Sequence, residues 1–166
     1  MKETMYWTRV ETSIGFITVV SSEKGLCFIQ LPGRDDVQKL RAKHPNLTWV
    51  EDASRNKEAI QQLQEYFDGF RTTFDLPLDL RVTPFQKNVL GKVGLVPFGE
   101  TRSYGEIARQ SGNPKAARAV GMANRNNPVP IVIPCHRIVG SDGALTGYGG
   151  GVKLKAKLLE LETKKL

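Results

Sequence analysis

The sequence predicts an α+β protein in which a small antiparallel-sheet unit is followed by a mainly helical unit with a helix-turn-helix. Three observations carry this reading. Short runs rich in β-branched and aromatic residues fill the first fifty positions. Capped helical patterns crowd the stretch from Thr83 to Ala123. Between them, residues 72–83 hold Pro77, Asp79 and Thr83-Pro84 and read as a linker, which sets the expected domains at 1–80 and 81–166. A length of 166 residues suits one compact unit or two small ones.

Taken in order, Trp7–Val10 and Gly15–Val20 read as two strands joined by a turn at Ser13-Ile14-Gly15. Gly25–Ile29 follows the polar Ser21–Lys24 turn as a third strand. Asp35–Lys43 and Arg55–Phe67 have helical character. In the second, Ile60, Leu63, Tyr66 and Phe67 recur at helical spacing and Gly69 closes it. Leu47–Val50 reads as one more strand. Cys27, between Leu26 and Phe28, is expected to pack as a small hydrophobe. No motif in this half carries chemistry.

In the second half, Thr83 is a candidate N-cap with Pro84 at the first helical position of a helix reaching Val93. Ser103 and Glu106 fit a capping box that opens a helix through Arg109. A third helix is expected over Pro114–Ala123, after the Ser111-Gly112 break. Two short helices joined by a brief Gly-containing turn make a helix-turn-helix. On the third helix Ala116, Ala119, Val120 and Ala123 cluster on one side, with Lys115, Arg118 and Arg125 roughly opposite.

Composition excludes several classes. Apolar residues make up 40% and charged residues 25%, which argues against a disordered chain. No apolar run approaches the roughly 18 residues a membrane span needs. The opening MKETMYWTRVETS lacks the apolar core of a signal peptide, so the expectation is a cytoplasmic protein with no membrane partner. Two cysteines cannot build a disulfide framework or a four-cysteine zinc cage.

The net charge of +7 is unevenly placed. Residues 1–82 carry 11 Lys/Arg against 12 Asp/Glu, a balance of −1, whereas residues 83–166 carry 13 against 5, a surplus of +8. Such asymmetry is a sign of a nucleic-acid-facing or membrane-facing second half. Lys153, Lys155, Lys157, Lys164 and Lys165 are accounted for as the solvated face of a terminal helix. That leaves Lys87, Lys92, Arg102, Arg109, Lys115, Arg118, Arg125 and Arg137 unexplained, of which Lys115, Arg118 and Arg125 would offer their charges to a phosphate backbone.

The segment Asn126–Gly140 spaces three prolines through an apolar stretch that ends on Cys135-His136-Arg137. Proline restricts its own backbone and that of the residue before it, so the segment is expected to be stiff and extended. That would hold one sulfur in one place, with Arg137 adding positive charge that favours the thiolate. The bland alternative is a buried cysteine beside a surface histidine, because neighbouring side chains on an extended strand point to opposite faces. One cysteine and two histidines give no metal-ligand cluster of the usual spacing.

The Ile133-Pro134-Cys135-His136-Arg137-Ile138-Val139 core resembles the active-site signature of the O6-alkylguanine-DNA alkyltransferases. The resemblance extends through Thr83-Pro84-Phe85-Gln86, Ser103-Tyr104-Gly105, Asn113 to Gly121, Asn127-Pro128 and Thr146 to Gly151. The first half resembles the family only loosely, as its variable N-terminal domain. The resemblance implies a ribonuclease-H-like N-terminal domain and a winged-helix/helix-turn-helix C-terminal domain. It implies a monomer that binds double-stranded DNA containing O6-alkylguanine, flips the base out, and moves the alkyl group irreversibly onto Cys135. O4-alkylthymine would be a further substrate, and no cofactor or metal would be required.

The same resemblance supplies roles. Cys135 matches the acceptor and His136 the base that deprotonates it through a water. Glu162, rather than Glu160, matches the carboxylate that orients the histidine. Tyr104 matches the donor to N3 of the leaving guanine. Arg118 matches the residue that fills the gap left by the flipped base, with Lys115, Arg125, Ala117 and Ala119 beside it on the DNA face. Small residues on this helix suit insertion into the narrow minor groove. Asn127 matches the brace of the turn before the active site. Tyr148 and Pro130 match the alkyl pocket, and backbone groups near Cys135, Ile138 and Gly149 would read the guanine edge. Some relatives carry serine where this chain has Gly149, so a more open pocket that takes bulkier alkyl groups is expected.

Rival readings are a lesion-binding protein without transfer, a helix-turn-helix regulator and a cysteine hydrolase. The first class lacks the cysteine that this chain has. The second has no use for the Pro-Cys-His-Arg segment, and the third would turn over.

Overall fold

The computed structural model describes residues 2–164. The chain divides into two compact units, Met1–Arg81 and Val82–Leu166.

The first unit is built on a four-stranded sheet of β1 (Thr4–Thr12), β2 (Gly15–Ser21), β3 (Leu26–Gln30) and β4 (Thr48–Glu51), in the order β3-β2-β1-β4. The first three strands pair antiparallel, and β4 pairs parallel to β1, from Thr4 opposite Thr48 to Trp7 opposite Glu51. The reversal has a plain cause. Helix α1 (Val37–Lys43) crosses from β3 to the far edge, and such a crossover returns the chain in the direction it left. Asp36 caps α1 by accepting from Gln38 N. Ile17, Val19 and Val20 are all fully buried, so β2 is covered on both faces, as its near-continuous apolar run requires. Met5, Val20, Cys27 and Leu40 form one core, with Trp7, Phe28, Leu47 and Trp49 packed on it. Cys27 is thus a packing residue. A 3₁₀ turn (Ser54–Asn56) leads into α2 (Lys57–Phe67), which buries Leu63, Tyr66 and Phe67.

The segment expected to be a linker is instead stitched to the sheet edge. Leu26 N donates to Pro77 O and Asp79 N donates to Leu26 O. Asp79 accepts from Ser22 Oγ, and Arg81 is held by Asp79 and Glu3. A Cβ on Gly25 would lie 2.5 Å from Pro77 O, so only glycine permits this approach.

The second unit contains α3 (Pro84–Val93), β5 (Arg102–Ser103), α4 (Tyr104–Gln110), α5 (Ala117–Arg125), a 3₁₀ turn (Cys135–Arg137), β6 (Ile138–Val139) and α6 (Val152–Lys164). Thr83 caps α3 in a full capping box with Gln86. Ser103 caps α4 in another with Glu106, as expected. Helices α3, α4 and α5 pack against one another around Val89, Leu90, Val93, Ile107, Ala108, Val120 and Ala123. Helix α5 begins at Ala117 rather than Pro114, because Asn113 holds a turn first. Its Oδ1 accepts from Lys115 N and its carbonyl from Ala116 N. The short parallel pairing of β5 with β6 ties the start of α4 to the end of the Cys135 turn.

Candidate active site

The Asn126–Gly140 segment is folded back rather than extended. Its prolines cannot donate, so a side chain organises the turn. Asn127 Oδ1 accepts from Val129 N at 3.0 Å, and its Nδ2 donates to Ile133 O at 2.8 Å. Ile133 N reaches back to Val129 O, and Ile131 at the apex takes a φ of +76°, a strained conformation for a β-branched residue. Cys135, His136 and Arg137 then lie on a 3₁₀ turn, with Cys135 N donating to Ile133 O and Arg137 N to Pro134 O. Two-face alternation therefore does not apply to the cysteine and histidine.

All three of these side chains are buried. His136 Nε2 lies 2.6 Å from Glu162 Oε2. A carboxylate there accepts a hydrogen bond and keeps the proton on Nε2, so Nδ1 is the basic nitrogen. Glu162 also accepts from Gly99 N at 3.1 Å and from Arg137 Nε and Nη2 at 2.8 and 3.0 Å. Arg137 Nη1 donates to Val96 O. The expectation that Arg137 lends its positive charge to the thiol is thus corrected. Its charge neutralises a carboxylate that is otherwise very costly to bury. Glu160 is exposed and pairs with Lys164 on its own helix.

Burial pushes the Cys135 thiol up to about 11, opposed by hydrogen bonding from Asn127 and Tyr148 and by the charge of Lys155. Burial also holds the His136 imidazole below its ordinary value, against the pull of Glu162. The resting pair is therefore a protonated thiol beside a neutral imidazole.

Lys155 is the residue that sequence reasoning placed wrongly. It is fully buried, not part of a solvated face. Its Nζ donates to Ile138 O, to Thr146 O at 2.9 Å and towards the Tyr104 hydroxyl at 3.4 Å. A signal was present. At about 100° per residue, Lys155 and Glu162 fall between Leu158 and Leu159 on α6, inside its apolar arc. Lys153, Lys157 and Lys164 are exposed as expected, and Lys165 lies outside the described residues. Asn124 was also missed: buried on α5, it donates from Nδ2 to Cys135 O at 3.1 Å.

Tyr104 opens α4, and its hydroxyl donates to Thr146 O at 2.9 Å. Burial raises its pKa, and it lies close enough to Cys135 to feel the charge of the thiolate. Tyr148 and Pro130 are buried and Gly149 half-buried. Ile138 spends its N–H on Cys135 O and its carbonyl on Lys155. Lys115, Arg118, Ala119 and Arg125 are exposed on or just before α5, with Ala117 half-buried. None of the three cations is ion-paired among the described residues. Among those residues no group of three or more His, Cys, Asp or Glu could hold a metal, and no helix is long and apolar enough to cross a membrane.

Two family models match the chain. Residues 5–80 match the ribonuclease-like domain of 6-O-methylguanine DNA methyltransferase and residues 84–164 its DNA-binding domain. A methylated-DNA–protein-cysteine methyltransferase of Methanosarcina acetivorans is 43% identical over 95% of this chain and 98% of its own. A constitutive one of Bacillus subtilis is 44% identical over 95% and 94%. A Mycobacterium tuberculosis OGT solved in complex with DNA superimposes with a TM-score of 0.86 at 42% identity, covering 96% of this chain and 94% of that one.

Proposed function

Because the chain belongs to the 6-O-methylguanine DNA methyltransferase family, we propose that it repairs duplex DNA by moving an alkyl group from O6 of guanine onto Cys135. The protein is a DNA-binding methyltransferase whose product is its own alkylated cysteine. The observation that carries the assignment to Cys135 is local. A buried thiol is followed directly by a buried imidazole whose Nε2 is locked to Glu162 at 2.6 Å.

The chemistry follows from that arrangement. His136 Nδ1 takes the thiol proton, through a water, as negative charge builds on sulfur. The sulfur attacks the alkyl carbon, the S–C bond forms as the C–O6 bond breaks, and O6 keeps the bonding pair. The guanine anion recovers a proton, which balances the one lost from Cys135. In this reading Tyr104 turns its hydroxyl proton from Thr146 O to the departing base, the place where stabilisation is worth most. Asn127, Tyr148 and Lys155 favour the sulfur once it is charged. The thioether has no leaving group that water can displace, so each chain acts once.

The second unit, residues 82–166, is the DNA-binding and transfer domain in this reading, and it works as a monomer. Arg118 fills the gap of the flipped base, while Lys115 and Arg125 hold phosphates. Ala117 and Ala119 let α5 lie deep in the narrow groove. Recognition then depends on damage and backbone rather than base sequence. Tyr148, Gly149 and Pro130 bound the alkyl pocket.

The test is intact-protein and peptide mass spectrometry after mixing with duplex containing O6-methylguanine. One methyl per chain, on Cys135, is expected, and a duplex with O4-methylthymine examines the second substrate. Continuous product release, or DNA binding with no adduct, would overturn the transfer reading.

A further inference from the structure

The outward face of α5 carries one residue that neither phosphate binding nor gap filling uses. At about 100° per residue, Arg118, Met122 and Arg125 lie within about 60° of one another. Val120, Ala123 and Asn124, which are buried, lie on the opposite side. Met122 is therefore at the centre of the exposed face, one turn beyond Arg118 and one before Arg125, and it is 53% exposed. The rest of the helix follows a strict division. Its other non-polar side chains are small or buried, and its long exposed ones are cationic. A large apolar side chain at the apex breaks that division.

We propose that Met122 is a DNA-contact residue, packing its thioether against the deoxyribose C–H edges that wall the groove between the gap filled by Arg118 and the phosphate held by Arg125. This rests on α5 being the DNA-binding helix. The chemistry fits the position. Sugar edges are apolar and identical at every step, so contact with them adds affinity without sequence preference. Methionine is unbranched and polarizable, and it adapts to irregular surfaces better than leucine or a β-branched residue. Met is also among the apolar side chains that serve as wedges where proteins enter the narrow groove. The flanking Ala119 and Gly121 keep the helix slim enough for one long side chain to reach furthest.

The test measures duplex binding by fluorescence anisotropy in a Cys135→Ser background, so that an O6-methylguanine lesion persists. Met122→Ala and Met122→Gln should each weaken binding about fivefold, the effect of losing roughly half of one buried side chain. Met122→Leu should stay within about twofold, because it keeps an apolar surface of similar volume. The slope of log affinity against log salt should match that of the parent for all three, since no phosphate contact is lost. Binding by Met122→Ala equal to the parent would overturn the proposal, as would Met122→Gln matching Met122→Leu. Arg118→Ala and Arg125→Ala report separately on the helix. If those also leave affinity and salt slope unchanged, the reading of α5 as the DNA-binding helix fails with them.

Discussion

Asn124 Nδ2 donates to the Cys135 carbonyl at 3.1 Å, so the helix proposed to face DNA and the residue proposed to accept the alkyl group share a buried hydrogen bond. The two ends of this contact differ in sequence by only eleven positions, yet the chain between them folds back on itself through the Asn127 turn. Asn124→Leu keeps the volume and removes the donor. It should cost about 1–3 kcal/mol in stability, the usual penalty for orphaning part of a buried polar pair. It should also slow transfer from duplex. Urea unfolding beside single-turnover kinetics measures both, and a variant as stable and as fast as wild type would show the bond to be incidental.

The pH profile of transfer follows from two opposed shifts. With the thiol pushed up to about 11, almost none is ionised at pH 7. Unassisted attack by that small thiolate fraction would speed up about tenfold for each pH unit through pH 9. With His136 as base the rate should instead be level from about pH 7 to 9. It should fall on the acid side only once the imidazole protonates, below its ordinary value of about 6.5, because burial lowers it. His136→Gln should replace the plateau with the climb. A tenfold-per-unit rise in the wild-type protein would remove histidine from the mechanism.

Glu162 and Glu160 make a matched pair on one helix. Glu162→Gln leaves the Arg137 guanidinium buried without its countercharge, so about 3–5 kcal/mol of stability should be lost. Glu160→Gln alters an exposed pair with Lys164 and should leave the denaturation midpoint where it was. Equal midpoints for the two variants would contradict the buried network.

Lys155→Met replaces the buried ammonium with an apolar chain of similar length. It strips donors from Ile138 O and Thr146 O and removes a positive charge that favours ionised Cys135. Transfer should slow about tenfold, in line with a shift of roughly one unit in the thiol. Lys153→Met, on the exposed side of the same helix, is the control. Parity between them would return Lys155 to the solvated face that its sequence context suggested.

Alkyl size can be read at Gly149. Gly149→Ser adds a hydroxyl at the edge of the pocket in the proposed site. The ratio of benzyl to methyl transfer should fall, and an unchanged ratio would mean that this position does not set the limit.

What the sequence revealed, and what it hid, has a physical pattern. Local signals were sufficient where the structure is local. Both N-caps of α3 and α4, the three antiparallel strands and the burial of Cys27 follow from neighbouring residue types. Three features required the tertiary fold. The direction of β4 depends on where α1 delivers the chain. Residues 77–79 look like part of a linker because their backbone partner is Leu26 of β3, more than fifty positions away. Charge was the third: Arg137 and Lys155 count toward the +8 of the second half, but one is spent on Glu162 and the other on backbone carbonyls. The site residues themselves were reached through resemblance more than through pattern, since no periodicity links Cys135 to Glu162.

The protonated, buried state of Cys135 also bears on how long the protein keeps. Peroxides and soluble electrophiles attack thiolates, and they attack exposed ones first. A sulfur enclosed at 3% exposure and held as the thiol offers them neither. A single-use group must survive unspent until its substrate arrives. Here the burial that makes the proton hard to remove also gives the molecule its shelf life.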